Sequence, residues 1–160
     1  MTVLEYNESV DLYANGLFRF AFKLTLNEEN ARDLVQDAFE KLWIKVHLVE
    51  CSKSKSYLFS IIHNAIIDQS RRDKHRKSYE NSQELQIVQF ENFDLKQHLN
   101  NALQKLPDIQ KCVVLLRDYE GYSYLEIGEI TGLSEQQVKV YIFRARKYLR
   151  EYIGQMEVLI

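Results

Sequence analysis

Apolar residues recur three and four positions apart through most of the chain, the spacing of one buried helix face. From about Glu8 to Leu26 the series runs through Val10, Tyr13 or Ala14, Leu17, Phe18, Ala21 and Leu24. Asn27, followed by Glu28 and Glu29, predicts a helix start: the Asn side chain accepts from an unpaired first-turn N–H, and acids there meet the positive end of the helix dipole. That helix turns Leu34, Val35, Ala38, Phe39, Leu42, Trp43 and Val46 inward, and Asp33, Gln36, Asp37 and Glu40 line up as one polar stripe on its other side. Val49 to Lys55 breaks the pattern and is expected to be a loop. Helix spacing returns from Ser56 to about Arg72 through Leu58, Ile61, Ile62, Ala65 and Ile66, with Ser60, His63, Asn64, Asp68 and Arg71 opposite. After Lys74 the period fades into polar residues with scattered apolar ones, which reads as a linker over 78–93.

Beyond Asp94 a helix through Leu95, Leu99, Ala102, Leu103 and Leu106 stops at Pro107, and another from Asp108 to about Tyr119 buries Ile109, Val113 and Leu116. Gly121-Tyr122 gives a turn. Ser123-Tyr-Leu-Glu126 then reads as a capping box, in which Ser and Glu each satisfy the other's backbone N–H. The short helix it opens ends at Thr131-Gly132-Leu133, and Ser134-Glu-Gln-Gln137 is a second capping box. The following helix turns Val138, Tyr141, Ile142, Ala145 and Leu149 inward. Two capped helices around a short Gly-containing turn predict a helix-turn-helix.

Composition narrows the fold class. Of 160 residues, 46% are apolar and 28% charged, which is ordinary globular usage. One proline and five glycines are too few for a sheet protein, which needs a turn about every 8–12 residues. An all-α protein is expected, with small helical domains over 1–77 and 94–160. No apolar run approaches the roughly 20 residues of a membrane-spanning helix, so direct membrane insertion is not expected. The first residues lack a basic start followed by an apolar stretch, which predicts a cytoplasmic location. Cys51 and Cys112 are isolated, and His47, His63, His75 and His98 have no paired ligand spacing. Neither a metal nor another cofactor is expected. No Gly-rich phosphate loop or nucleophile elbow is present to suggest an enzyme.

Charge changes the picture once its distribution is considered. The net charge is −2 and the isoelectric point about 6.1, which by itself argues against nucleic acid. Arg71 to Lys77, however, holds five basic residues and one acid, and Lys139 to Arg150 holds five and none. Acids gather in Glu28 to Glu40 and Asp118 to Glu129. Two basic patches on a mildly acidic body imply two anion contacts and separate surfaces for a basic partner.

The second helix of a helix-turn-helix places its first turns in the DNA major groove, about 12 Å wide. Its outward residues here are Glu135, Gln136, Gln137, Lys139, Val140, Phe143 and Arg144. Glu accepts from cytosine, Gln pairs with adenine, and Arg or Lys reaches guanine or phosphate. Arg146, Lys147 and Arg150 are placed to meet phosphates, which fix register without reading sequence. By itself this half predicts a DNA-binding module. A stand-alone helix-turn-helix regulator is the alternative to the reading that follows.

The stretch Asn27-Glu-Glu-Asn-Ala-Arg-Asp-Leu-Val-Gln-Asp-Ala-Phe-Glu-Lys-Leu-Trp43 closely resembles region 2 of bacterial sigma factors. Leu106-Pro107-Asp108, Glu120-Gly-Tyr-Ser-Tyr-Leu-Glu-Ile-Gly-Glu-Ile-Thr-Gly-Leu-Ser134 and Arg144-Ala-Arg-Lys-Tyr-Leu-Arg150 resemble region 4. Having only these two regions and a linker, the chain resembles the extracytoplasmic-function (ECF) group of the sigma-70 family. The resemblance implies a partner in bacterial core RNA polymerase, through its β′ and β subunits, with Asp33, Gln36, Asp37 and Glu40 docking on a basic coiled coil of β′. The plain alternative for those four residues is a solvated helix face. It further implies promoter DNA, with the minus-thirty-five duplex read by Glu135, Gln136, Gln137, Lys139, Val140, Arg144, Arg146 and Lys147. The minus-ten strand would be melted and held by Asn64, Asp68, Arg71, Arg72 and Lys74 and by a base-capturing loop at Val49 to Lys55. An anti-sigma factor, often membrane-anchored, is also implied, and could hold the protein at the inner membrane. Two positions depart from the family pattern. His63 stands where an arginine is common, and its reading as core histidine or DNA contact stays open. Gly128 replaces a usual alanine, at about 1 kcal/mol of helix propensity, and allows a closer helix approach.

Overall fold

A computed structural model describes residues 1–77 and 95–158; the whole of the expected linker, 78–93, lies outside the described residues. Seven α-helices and no strand occur among the described residues: α1 (Val3–Thr25), α2 (Glu28–Ile44), α3 (Ser54–Lys77), α4 (Leu95–Lys105), α5 (Asp108–Val114), α6 (Tyr124–Thr131) and α7 (Glu135–Val158). The all-α expectation holds. A short 3-10 turn, Cys51–Lys53, leads into α3, so the expected loop is shorter than its polar sequence suggests.

Local chemistry sets most helix ends. Thr2 and Glu5 form a capping box, the Glu5 N–H donating to Thr2 Oγ1 at 3.2 Å and the Thr2 N–H to Glu5 Oε2 at 2.7 Å. The first helix therefore begins five residues before its apolar series does. Asn27 caps α2 as expected, accepting from the Asn30 N–H at 2.9 Å. The α1–α2 connection is only two residues long, with Leu26 in the left-handed region at φ 55°. Its N–H reaches Phe22 O at 2.8 Å, which closes α1 and folds α2 back along it.

In the N-terminal half, α1, α2 and α3 bury Leu17, Phe20, Ala31, Leu34, Leu42, Leu58 and Ile62 against one another. In the C-terminal half, α5, α6 and α7 bury Val113, Leu116, Ile127, Ile130, Val138, Ile142 and Ala145. The apolar faces read from periodicity are largely these. Trp43 is a correction: it is 47% exposed and meets only the edge of Tyr6, at 5.0 Å between ring centroids, among the aromatic pairs described. Its neighbours Leu42 and Val46 are buried, so Trp43 stands at the edge of the buried face. The helix after Pro107 also changes character. From Leu115 to Tyr119 it widens to π-helical bonding, with the Glu120 N–H on Leu115 O at 3.1 Å.

The two halves are packed together along α3. Phe59, 1% exposed, sits between Phe20 of α1 at 5.5 Å and Tyr122, the residue before the α6 cap, at 5.1 Å in an edge-on arrangement. Polar links surround this aromatic seam. Ser60 donates to Ile130 O at 3.0 Å, Gln104 to Lys23 O at 2.9 Å and Ser70 to Asp108 at 2.6 Å. Arg19 pairs with Glu120 at 3.1 Å and Lys53 with Glu129 at 3.3 Å.

Candidate nucleic-acid and polymerase-contact surfaces

The helix-turn-helix is built from α6, its turn and α7. Ser123 accepts from the Glu126 N–H at 3.2 Å, and the Glu126 carboxylate returns to the Ser123 N–H at 3.5 Å. Gly132 ends α6 at φ 78°, a left-handed conformation open to glycine without strain, and its N–H bonds Gly128 O at 2.9 Å. The Gln137 N–H then donates to Ser134 Oγ at 3.2 Å, and the Ser134 N–H to Gln137 Oε1 at 3.0 Å. Both capping boxes read from the sequence are present. Gly128 is explained by the turn: a Cβ there would stand 2.8 Å from Leu133 O.

Glu135, Gln136, Gln137, Lys139, Val140, Phe143, Arg144 and Lys147 are all exposed on α7, while Val138, Ile142 and Ala145 are buried beneath them. The helix thus presents the expected face. A groove of about 740 Å³ runs along it, lined by Tyr124, Lys139, Val140, Phe143, Arg144, Arg146, Lys147 and Arg150. Phe143 is 63% exposed; it and Val140 add apolar surface suited to a thymine methyl. Tyr124 is a contributor that motif reading passed over. Arg117 stacks over its ring at 4.5 Å and Lys139 approaches it at 5.7 Å. Arg146 is partly engaged already: it makes a two-point pair with Asp118, which holds its guanidinium firmly charged. Lys139 pairs more loosely with Glu135, at 3.6 Å.

On α2, Asp33, Gln36, Asp37 and Glu40 are all exposed and follow one another along a single face. Arg32 turns away to pair with Glu28, leaving that row acidic and polar. On α3, Asn64, Asp68, Arg71 and Arg72 are exposed. Asp37 and Lys41 of α2 share a cleft of about 350 Å³ with Asn64, Asp68 and Arg72, so the two predicted contact sets adjoin. Lys74 points to the other half and pairs with Asp108 at 3.7 Å. His63 is a core histidine in this conformation. It is 4% exposed, and its Nδ1 lies 2.9 Å from Cys112 Sγ on α5. Burial lowers the proton affinity of His63 and pushes the Cys112 thiol well up, so both are neutral at pH 7.

A capped helix-turn-helix with an exposed polar and basic face, joined to a helical unit with a separate acidic stripe, is the architecture of an all-helical DNA-binding protein. Comparison with known proteins narrows this. Residues 10–76 match the family model Sigma-70 region 2, and residues 96–149 match Sigma-70, region 4. The chain is 31% identical over 152 residues to the ECF RNA polymerase sigma factor SigM of Bacillus subtilis, covering 90% of this chain and 92% of that one. It is 30% identical to RNA polymerase sigma factor SigV of the same organism, over 86% and 84% of the two chains. Among solved structures it is similar to the sigma factor RpoE in complex with the anti-sigma factor NepR from Bartonella quintana, with a TM-score of 0.77 and 28% identity over 95% of this chain and 98% of that one. The chain belongs to the ECF RNA polymerase sigma factors of the sigma-70 family.

Among the described residues no helix is long and apolar enough to cross a membrane.

Proposed function

We propose that this sigma factor directs core RNA polymerase to specific promoters through two DNA-reading units, residues 1–77 forming the first, 78–93 a linker and 94–160 the second. The α7 face, with Glu135, Gln136, Gln137, Lys139, Val140 and Arg144, reads the minus-thirty-five duplex, and Arg146 and Lys147 fix register on phosphates. The α2 stripe of Asp33, Gln36, Asp37 and Glu40 docks on a basic surface of the polymerase β′ subunit. Asn64, Asp68, Arg71, Arg72 and Lys74 of α3 hold the melted minus-ten strand, where a basic groove tracks the single-stranded backbone. The protein supplies recognition and strand capture, while bond-making chemistry belongs to the polymerase. It acts in the cytoplasm and is held inactive by an anti-sigma factor, as the RpoE and NepR pair suggests by analogy.

The observation that carries this reading is the pairing of an exposed acidic row on α2 with an exposed base-reading face on α7. They lie on different elements and offer opposite charge to different partners. Lys139→Ala and Arg144→Ala are expected to weaken binding of the holoenzyme to minus-thirty-five duplex while leaving core polymerase binding intact. Equal loss of both activities would contradict the division of labour.

A further inference from the structure

In this conformation one face of α3 is covered by the chain's own C-terminal half, while Asn64, Asp68, Arg71 and Arg72 beside it stay exposed; of the residues that hold the promoter strand in the proposed function, Lys74 is the one engaged. Ser60 is bonded to the end of α6, Ser70 and Lys74 are held by Asp108 of α5, and between them His63 is buried against Cys112. A strand phosphate at Lys74 competes with Asp108 for that ammonium. Apart from the buried Phe59–Tyr122 seam, the covering contacts are short-reach hydrogen bonds and exposed ion pairs, each of modest worth. Among these contacts the buried His63–Cys112 pair is the link whose chemistry changes near neutral pH.

While both are neutral, His63 Nδ1 accepts from the Cys112 thiol in the Nε2–H tautomer and donates to its sulfur in the other. Protonation leaves Nδ1 a donor only and places a buried cation without a carboxylate in contact. The charged groups on the elements packed around α3 lie to the sides of this pair. Asp108 and Lys111 of α5 line the adjacent cleft with Ser70 and Lys74. Glu126 and Glu129 of α6 line another with Lys53 and Lys55. Asp37 and Lys41 of α2 line the cleft at Asn64 and Asp68, and on α1 Arg19 is turned to Glu120. Burial is the influence that sets the proton affinity of His63, and it lowers it.

We propose that the α3–α5 junction is a proton-sensitive latch: with His63 neutral the chain stays closed over its own α3 face, and protonation of His63 releases the C-terminal half. The sign follows from linkage. Open chain binds the proton more tightly than closed chain, so closure is fully favoured above the ordinary histidine value near 6.5 and weakens as pH falls below it. Going from pH 7.5 to 5.5, the opening constant rises by up to about tenfold.

The competition for Lys74 rests on the proposed function, but the closure does not, and it can be read without any partner. Small-angle X-ray scattering of the full chain from pH 7.5 to 5.5 is expected to show growth from the radius of a compact 160-residue chain, about 15 Å, with far-ultraviolet circular dichroism unchanged. His63→Gln, which keeps the other three histidines, is expected to abolish the transition. Should that variant lose its helical signal, Cys112→Ala carries the test; without the thiol partner, opening should shift to higher pH. A radius constant in the wild-type chain, a transition unaltered in His63→Gln, or a midpoint unmoved in Cys112→Ala would each overturn the latch. Loss of core polymerase binding bears only on the proposed function and leaves this readout untouched.

Discussion

The contact between the two halves makes a quantitative prediction at Phe59 and Tyr122. The rings meet edge-on at 5.1 Å with an interplanar angle of 73°, and both side chains are almost fully buried. Phe59 also packs on Phe20 within its own half, and Tyr122 carries Lys55 over its ring at 4.1 Å. Replacing either aromatic by leucine keeps most of the apolar volume, so each single change is expected to cost about 1–2 kcal/mol, well under the ~3–5 kcal/mol of truncation to alanine. If the halves are packed in solution as described, Phe59→Leu and Tyr122→Leu share one interaction, and their double-mutant cycle should show about 0.5–1.5 kcal/mol of coupling. Urea unfolding followed by circular dichroism supplies the four free energies. Additivity to within about 0.3 kcal/mol would mean that the rings do not meet in solution, and would refute the packing of the C-terminal half on α3.

Three other outcomes follow from single sites. Gly128→Ala is expected to lower stability by about 1 kcal/mol despite the better helix propensity, because the added Cβ meets Leu133 O at 2.8 Å; a rise in thermal midpoint would contradict that crowding. Ser134→Ala removes the cap on the Gln137 N–H and should cost about 1 kcal/mol, read by the same unfolding assay. Asp118→Asn weakens the hold on Arg146 and should steepen the salt dependence of duplex DNA binding by about 0.9 in log–log slope, one more phosphate contact. An unchanged slope would show that Arg146 stays off the backbone.

Much of this was legible locally. Asn27, Ser123 with Glu126 and Ser134 with Gln137 announce helix starts because capping uses side chains within three residues of the end. The Thr2–Glu5 box carries the same signal, ahead of the first apolar series. The exposed rows on α2 and α7 were readable because helical phase alone separates them from their buried faces. What was hidden depends on contacts between distant residues. His63 belongs to a polar face by phase, yet it is buried because α5 brings Cys112 to it from 49 positions away. Phe59 lies off the apolar series of its helix and becomes a central side chain only when Tyr122 closes over it. Trp43 fits the inward series but stands at the edge of the face that buries Leu42 and Val46. The engagement of Lys74 by Asp108 and of Arg146 by Asp118 likewise joins residues that no sequence window contains together.

The central claim is that the α2 row carries this sigma factor to polymerase. Its most direct test is co-elution of the purified chain with core RNA polymerase from the same organism, beside an Asp33→Ala/Gln36→Ala/Glu40→Ala variant. Those side chains are exposed, so the variant should keep its fold and helical content. The account predicts co-elution of the wild-type chain and its loss in the variant. Absence of co-elution for the wild-type chain, or undiminished co-elution of the variant, would contradict it.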